Sequence, residues 1–187
     1  MRRWLVAAVW AAWFALAGAA GQARTTRDDR VEDWGTRAWA DAVTSATLVG
    51  AVTSARALPR AGIRGDPRWP LAVGAALVAL GVGLRRWAAG TLGRFFTQSV
   101  AIRPGHRVVN SGPYAFVRHP GYAGLLVSQV GLGLTLGSWA SVLVMAIGFF
   151  AAHLPRIAVE ERVLEENLGA PYRAYERTHR RLIPGVW

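Results

Sequence analysis

Residues 121–155 read GYAGLLVSQVGLGLTLGSWASVLVMAIGFFAAHLP, 35 positions without a charged side chain. At 1.5 Å per residue, one helix of that length would run about 52 Å, against a hydrocarbon core of about 30 Å. The stretch must therefore fold back, and Gly137-Ser138 near its middle offers the turn. The expectation is a tight helical hairpin, Tyr122–Leu136 followed by Trp139–Leu154.

Other uncharged stretches lie upstream, at Trp4–Ala23, Ala42–Ala55 and Trp69–Leu84. With 52% hydrophobic residues and nine tryptophans, they point to an all-α, polytopic membrane helix bundle. The start, MRRWLVAAVWAAWFALAGAAGQA, has the charged head, apolar run and small residues of a secretory signal, and equally suits a first membrane helix. A second span runs from about Ala38 to Leu58, and a third from Trp69 to Leu84, stopping at Arg85-Arg86.

Arginine placement separates the topologies. All 22 basic residues are arginine, and positive charge favours the cytoplasmic side. Five spans with Met1 outside put 4, 6 and 6 arginines into inside segments 21–37, 85–120 and 155–187. An excised signal peptide, or five spans with Met1 inside, places these segments outside and is disfavoured. If the Asp41–Arg56 block does not cross, four helices with Met1 inside leave 14 arginines inside and 8 outside. Both surviving solutions put residues 85–120 and the C-terminal tail on the cytoplasmic face. The tail, IAVEERVLEENLGAPYRAYERTHRR, reads as a helix stopped at Leu168 by Gly169, with Pro171 opening a second short helix.

Several function classes drop out. The net charge of +11 belongs to arginines flanking apolar spans, so no nucleic-acid partner is expected. There is no cysteine, hence no disulfide framework and no thiolate site. His106, His119, His153 and His179 show no metal-ligand spacing, and His153 reads as an interfacial residue. Gly81-Val-Gly83 and Gly131-Leu-Gly133 lie inside apolar runs, where helix packing through Gly133-xxx-Gly137 explains them better than a nucleotide loop.

One dense polar knot precedes the hairpin. Residues 112–122, GPYAFVRHPGY, crowd Tyr114, Arg118, His119 and Tyr122 among prolines that fix the backbone. Arg156, Glu160 and Glu161 stand at the hairpin's exit, where Arg156 and Glu160 have the i,i+4 spacing of a helical ion pair. Because both ends of a hairpin return to one face, these distant polar groups converge on one pocket.

The segments GHRVVNSGPYAFVRHPGYAG and EERVLEENLGAPYRAYERTHRRLIPG together resemble the isoprenylcysteine carboxyl methyltransferase family and its phospholipid methyltransferase-like relatives. The shared pattern runs roughly H-x-L-V-x-x-G-x-Y-x-x-x-R-H-P-x-Y, then E-E-x-x-L and G-x-x-Y-x-x-Y, closing on a proline. The match spans about Arg94 to Pro184. The resemblance implies a single integral membrane domain over 1–187. Within it, divergent transmembrane helices fill 1–93, and the cofactor loop, hairpin and tail fill 94–187. It implies S-adenosyl-L-methionine as cofactor, held by His106, Arg107, Val108, Val109, Tyr114, His119, Pro120, Gly121, Tyr122 and Glu160. Gln98 joins them one position out of the family's spacing. Arg156 falls where the family orients its substrate. The implied acceptor is lipophilic, an isoprenylcysteine-type carboxylate, in a multi-pass protein of the cell's inner or plasma membrane whose site faces the cytoplasm. Phospholipid amines, small thiols and an NADPH-dependent, sterol-reductase-like chemistry are the alternatives.

Overall fold

The computed structural model describes residues 2–18 and 30–185. Of the expected inside segment 21–37, residues 21–29 lie outside the described residues, as do the small residues that closed the signal-like reading. The chain folds into α1 (Arg2–Gly18), β1 (Arg30–Val31), α2 (Thr36–Ala57), α3 (Arg68–Leu92), β2 (Ala101–Ile102), α4 (Pro120–Thr135), α5 (Trp139–Leu168) and α6 (Ala170–Thr178). The fold is mostly helical, apart from the two-residue antiparallel pair β1–β2.

The hairpin forms where expected. α4 opens at Pro120, which needs no N–H partner there, and closes as Gly137, at φ 71°, turns the chain. Gly137 is thus the turn itself, not half of a packing motif. Gly133 alone packs on α5, with Ser141 O and Val142 Cα each 2.9 Å from where its Cβ would be. The larger glycine seam joins α3 to α4 in antiparallel register. Gly74 faces the Gly131 carbonyl, and Gly81 faces that of Gly124. The two pairs lie seven residues apart on each helix, two turns, so the backbones touch twice along one line.

Two boundaries differ from expectation, each for a physical reason. α3 runs past Arg85-Arg86 to Leu92, because the Arg85 guanidinium turns inward over the Phe96 ring and toward Gly121 O. α5 runs unbroken through Pro155 for 30 residues. Proline cannot donate to the carbonyl four residues back, and that orphaned carbonyl, Ala151 O, accepts the Trp39 indole N–H from α2 at 3.0 Å.

Further indole and hydroxyl bonds hold the bundle. Trp13 Nε1 donates to Ser128 Oγ at 3.0 Å and Trp10 Nε1 to Thr135 Oγ1 at 3.1 Å, docking α1 on α4. Ser141 Oγ donates to Ala51 O at 2.7 Å, tying α5 to α2. Trp13, Leu48, Ala51, Val78, Val82, Leu132 and Met145 form the central apolar core.

Among the described residues, α1 to α5 run back and forth between two ends. Arg68–Phe95 and Trp139–Leu168 are long and apolar enough to cross a membrane unaided. Exposed Trp69 and Trp139 mark one end, exposed Trp39 and Trp87 the other, with exposed Val49, Leu80 and Leu143 between, the pattern of an aromatic belt. Residues 93–119 and the tail both gather at the Trp39–Trp87 end.

Two stability measurements in detergent follow. Gly131→Ala presses a methyl to 2.7 Å from Gly74 O and should cost about 1–3 kcal/mol; Gly83→Ala, whose Cβ meets nothing within 4 Å, should cost nothing. Trp39→Phe should cost about 1 kcal/mol in the native chain, and less in a Pro155→Ala background, where a restored backbone N–H reaches Ala151 O.

Candidate functional site

The two ends of the hairpin meet at the Tyr122 hydroxyl. It accepts from Arg156 Nε at 2.9 Å and donates to Glu160 Oε2 at 3.0 Å. Arg156 and Glu160 are therefore bridged through a tyrosine rather than paired directly. The rest of the Arg156 guanidinium is also engaged. Nη1 donates to Asp33 Oδ1 at 2.6 Å and to Thr36 Oγ1 at 3.5 Å, and Nη2 donates to Gln98 O. Four of its five N–H groups thus bind α2, its leading linker, the pre-hairpin loop and α4.

The neighbouring carboxylate faces elsewhere. Glu161, about 100° further round α5, is buried among three cationic or imidazole groups. Arg118 Nη2 lies 2.8 Å and His119 Nε2 3.1 Å from its Oε1, and Arg181 Nη2 lies 2.8 Å from its Oε2. Backbone bonds Arg118 N to Arg180 O and His119 N to Arg181 O, 2.7 and 2.9 Å, lay the end of the tail alongside the knot. Tyr175 of α6 donates to Tyr114 O at 2.7 Å. Glu160 and Glu161 were adjacent candidates in the sequence. Packing divides their labour, and Glu161 holds the site together.

The loop 93–119 arches over this end. The β1–β2 pair ties it to the linker before α2, and Arg94 Nη2 donates to Pro104 O at 2.9 Å. His106 stacks on Phe95 with centroids 4.5 Å apart and planes 13° off parallel. Burial pushes the His106 imidazole below its ordinary 6.5; Glu160 opposes the shift, and Arg103 and Arg94 add to it. For Asp33, burial works to raise the carboxyl. Hydrogen bonds from the Arg37 and Val100 amides and the charge of Arg156 outweigh burial and hold it below its usual range.

These elements enclose a cavity of about 510 Å³. It is walled by one face each of α2, α4 and α5, by Trp13 and Phe14 of α1, by Arg85 and Leu92 of α3, by Tyr172 and Tyr175 of α6, and by the loop. Gln98, His106, Arg107, Val108, Val109, Tyr114, His119, Gly121, Tyr122, Arg156 and Glu160 all line it. Of the residues expected from sequence, only Pro120 does not; it is buried at the start of α4. His106 Nδ1, His153 Nδ1 and Nε2, Arg85 Nε, Gln129 Oε1 and Tyr172 OH belong to lining residues and have no hydrogen-bond partner. Buried polar groups without partners are rare, so this wall offers hydrogen-bonding groups to whatever occupies the cavity.

Sequence reasoning missed Asp33, Arg85, Gln129, His153 and Tyr172 as parts of the site. His153, expected at the membrane interface, is buried against Tyr122 and Phe149, because the extra turns of α5 carry the helix end beyond it. A lone histidine and a lone glutamine inside uncharged runs were the available signals, since neither belongs in lipid without a partner.

Residues 74–166 match the model of the isoprenylcysteine carboxyl methyltransferase (ICMT) family. Protein-S-isoprenylcysteine O-methyltransferase B of Arabidopsis thaliana is 34% identical over 109 residues, 57% of this chain and 55% of that protein. The Schizosaccharomyces pombe protein-S-isoprenylcysteine O-methyltransferase is 32% identical over 102 residues, 54% of this chain and 43% of that protein. The chain thus spans about half the length of the curated relatives it matches. The solved structure of a eukaryotic intramembrane Ras methyltransferase, ICMT, superposes with a TM-score of 0.64 at 23% identity, covering 78% of this chain and 52% of that one. The bundle described above is therefore the ICMT membrane fold.

His106 gives a test by pH. Its folded value lies below the unfolded one, so the stability it contributes is present above pH 6.5 and is lost as pH falls through the folded value. His106→Phe keeps the stacking on Phe95 and removes the titration, and should flatten thermal stability over that acid range.

Proposed function

We propose, from the match of residues 74–166 to the isoprenylcysteine carboxyl methyltransferase family, that the chain is an S-adenosylmethionine-dependent membrane methyltransferase of that family. The methyl acceptor is a lipophilic molecule ending in an isoprenylcysteine-type carboxylate. The observation that carries this reading is the shared cavity, in which the knot before the hairpin and the residues after it meet around Tyr122.

The residues suit the donor chemically. Glu160 offers a carboxylate to an α-ammonium, and the partnerless His106 Nδ1 and Tyr172 OH can hydrogen-bond the rest of a zwitterionic, adenine-bearing molecule. Arg107, Val108, Val109 and Tyr114 form the loop wall over it. His119, with Nε2 on Glu161, keeps Nδ1 for the ligand. When bound, S-adenosylmethionine supplies an electrophilic methyl carbon and leaves as a neutral thioether. The protein's part is alignment and exclusion of water. A carboxylate acceptor is already an anion and needs no base.

Arg156 holds Tyr122, and through it Glu160, in place. It keeps one N–H for an acceptor carboxylate, so its role is that of an aligner rather than a free two-pronged clamp. All five helices α1 to α5 cross the membrane, with the loop and tail on the cytoplasmic side. The arginine distribution supports this, with 16 of 22 in the segments assigned to that side. The soluble donor reaches the cavity from the cytosol. The lipid acceptor arrives between α1 and α2, where exposed Phe14, Asp41 and Ser45 line the cavity wall.

The test uses purified protein in nanodiscs with methyl-labelled S-adenosylmethionine and a prenylated cysteine bearing a free carboxylate. Mass spectrometry should find the labelled methyl ester. Glu160→Gln should weaken S-adenosylhomocysteine binding at least about tenfold, as loss of one charge-assisted contact implies. Arg156→Lys should lower kcat more than donor affinity. NADPH binding in place of S-adenosylhomocysteine would overturn the assignment.

A further inference from the structure

The cavity does not end at the proposed reacting centre. Along α4 the lining face continues from Tyr122 through Leu125 to Gln129, two turns or about 10 Å deeper into the bundle. α2 follows it with Thr44, Ser45 and Leu48, and α1 closes the far end with Trp13 and Phe14. Trp13 is fixed there by its bond to Ser128, the neighbour of Gln129. This deep arm lies among lipid-facing helices, where a plain hydrocarbon tail would meet leucine, tryptophan and phenylalanine.

Gln129 does not fit a plain hydrocarbon tail. It is 1% exposed, and its Oε1 has no partner. From α5, His153 adds a second buried side chain with both ring nitrogens partnerless, on the same cavity. A bundle filled by hydrocarbon alone would leave these groups unsatisfied, a cost that apolar residues at the same positions would avoid. Gln129 thus offers a hydrogen-bond acceptor to whatever fills the arm, while His153 does so beside Tyr122.

We propose that the deep arm binds the tail of the methyl acceptor, and that Gln129 selects an acceptor carrying a hydroxyl or N–H group about 10 Å from its reacting end. Among isoprenylcysteine-type carboxylates, the preferred acceptor is then one whose tail carries such a polar group. This rests on the methyltransferase reading for the orientation of the acceptor, with its reacting end at Tyr122.

Two S-prenylcysteine analogues with a five-carbon prenyl chain, one plain and one with a terminal hydroxyl, separate the possibilities. Their affinities are measured by calorimetry on the full chain in nanodiscs, with S-adenosylhomocysteine present. The native protein should bind the hydroxylated analogue about tenfold more tightly, and Gln129→Met should erase or reverse that preference. Gln129→Leu serves as a second variant, and S-adenosylhomocysteine affinity reports in each protein whether the donor pocket is formed. Equal binding, tighter binding of the plain analogue, no binding of either, or a preference that survives both substitutions would each overturn the proposal. A hydroxyl preference without transfer to any acceptor would instead leave the tail site standing and remove the methyltransferase reading.

Discussion

One hydroxyl joins the two ends of the hairpin. Tyr122 stands at the start of α4, and Arg156 and Glu160 stand on α5 beyond the turn. Its oxygen accepts from one and donates to the other. That contact exists because an uncharged run of 35 residues is too long to cross a bilayer once and must double back. The turn at Gly137 and the small-residue seam between α3 and α4 set the depth at which the two ends meet. From there Arg156 reaches the linker before α2 and the loop before α4, so four separate segments depend on one guanidinium.

The polar layer at this end is tolerated because it is closed on itself. Glu161 gathers Arg118, His119 and Arg181, and Arg118 also reaches Glu176 of α6 at 2.7 Å. Removing Arg118 or Glu161, each 8% exposed, costs about 3–5 kcal/mol, since its partners are left uncompensated, whereas the more exposed Arg181 and Glu176 contribute less. The cavity beside this layer has two environments: a polar loop side, and a deep arm that is mostly apolar with a few partnerless polar atoms. On the proposed function, the zwitterionic donor takes the loop side and the lipid acceptor the deep arm, with Tyr122 between them.

Much of this was legible in the sequence wherever a local rule decided it. The hairpin followed from length against bilayer thickness. The break at Gly169 and the start of α6 followed from helix-stop and proline rules, and the meeting of the knot with Arg156 and Glu160 followed from the hairpin itself. What stayed hidden needed a partner far along the chain. Pro155 reads as a helix end until Trp39, 116 positions earlier, covers the carbonyl it orphans. Asp33 sits in an acidic linker, DDRVEDW, where no local rule singles it out for Arg156. Gly74, Gly81, Gly124 and Gly131 show their purpose only when the two helices are laid side by side. Glu160 and Glu161 cannot be told apart until α5 is rotated against its neighbours.

The central claim is that the segment before the hairpin and the segment after it close one donor cavity on a single side of the membrane. The chain has no cysteine, so single cysteines at Val108→Cys and Leu164→Cys, both on the cavity wall, can be labelled without background. The decisive measurement is their reaction with a membrane-impermeant maleimide in sealed vesicles of known orientation, with and without S-adenosylhomocysteine. Both should label from the cytoplasmic side only, and both should be protected by the ligand. Labelling from opposite sides, or labelling that the ligand leaves unchanged, would contradict the account.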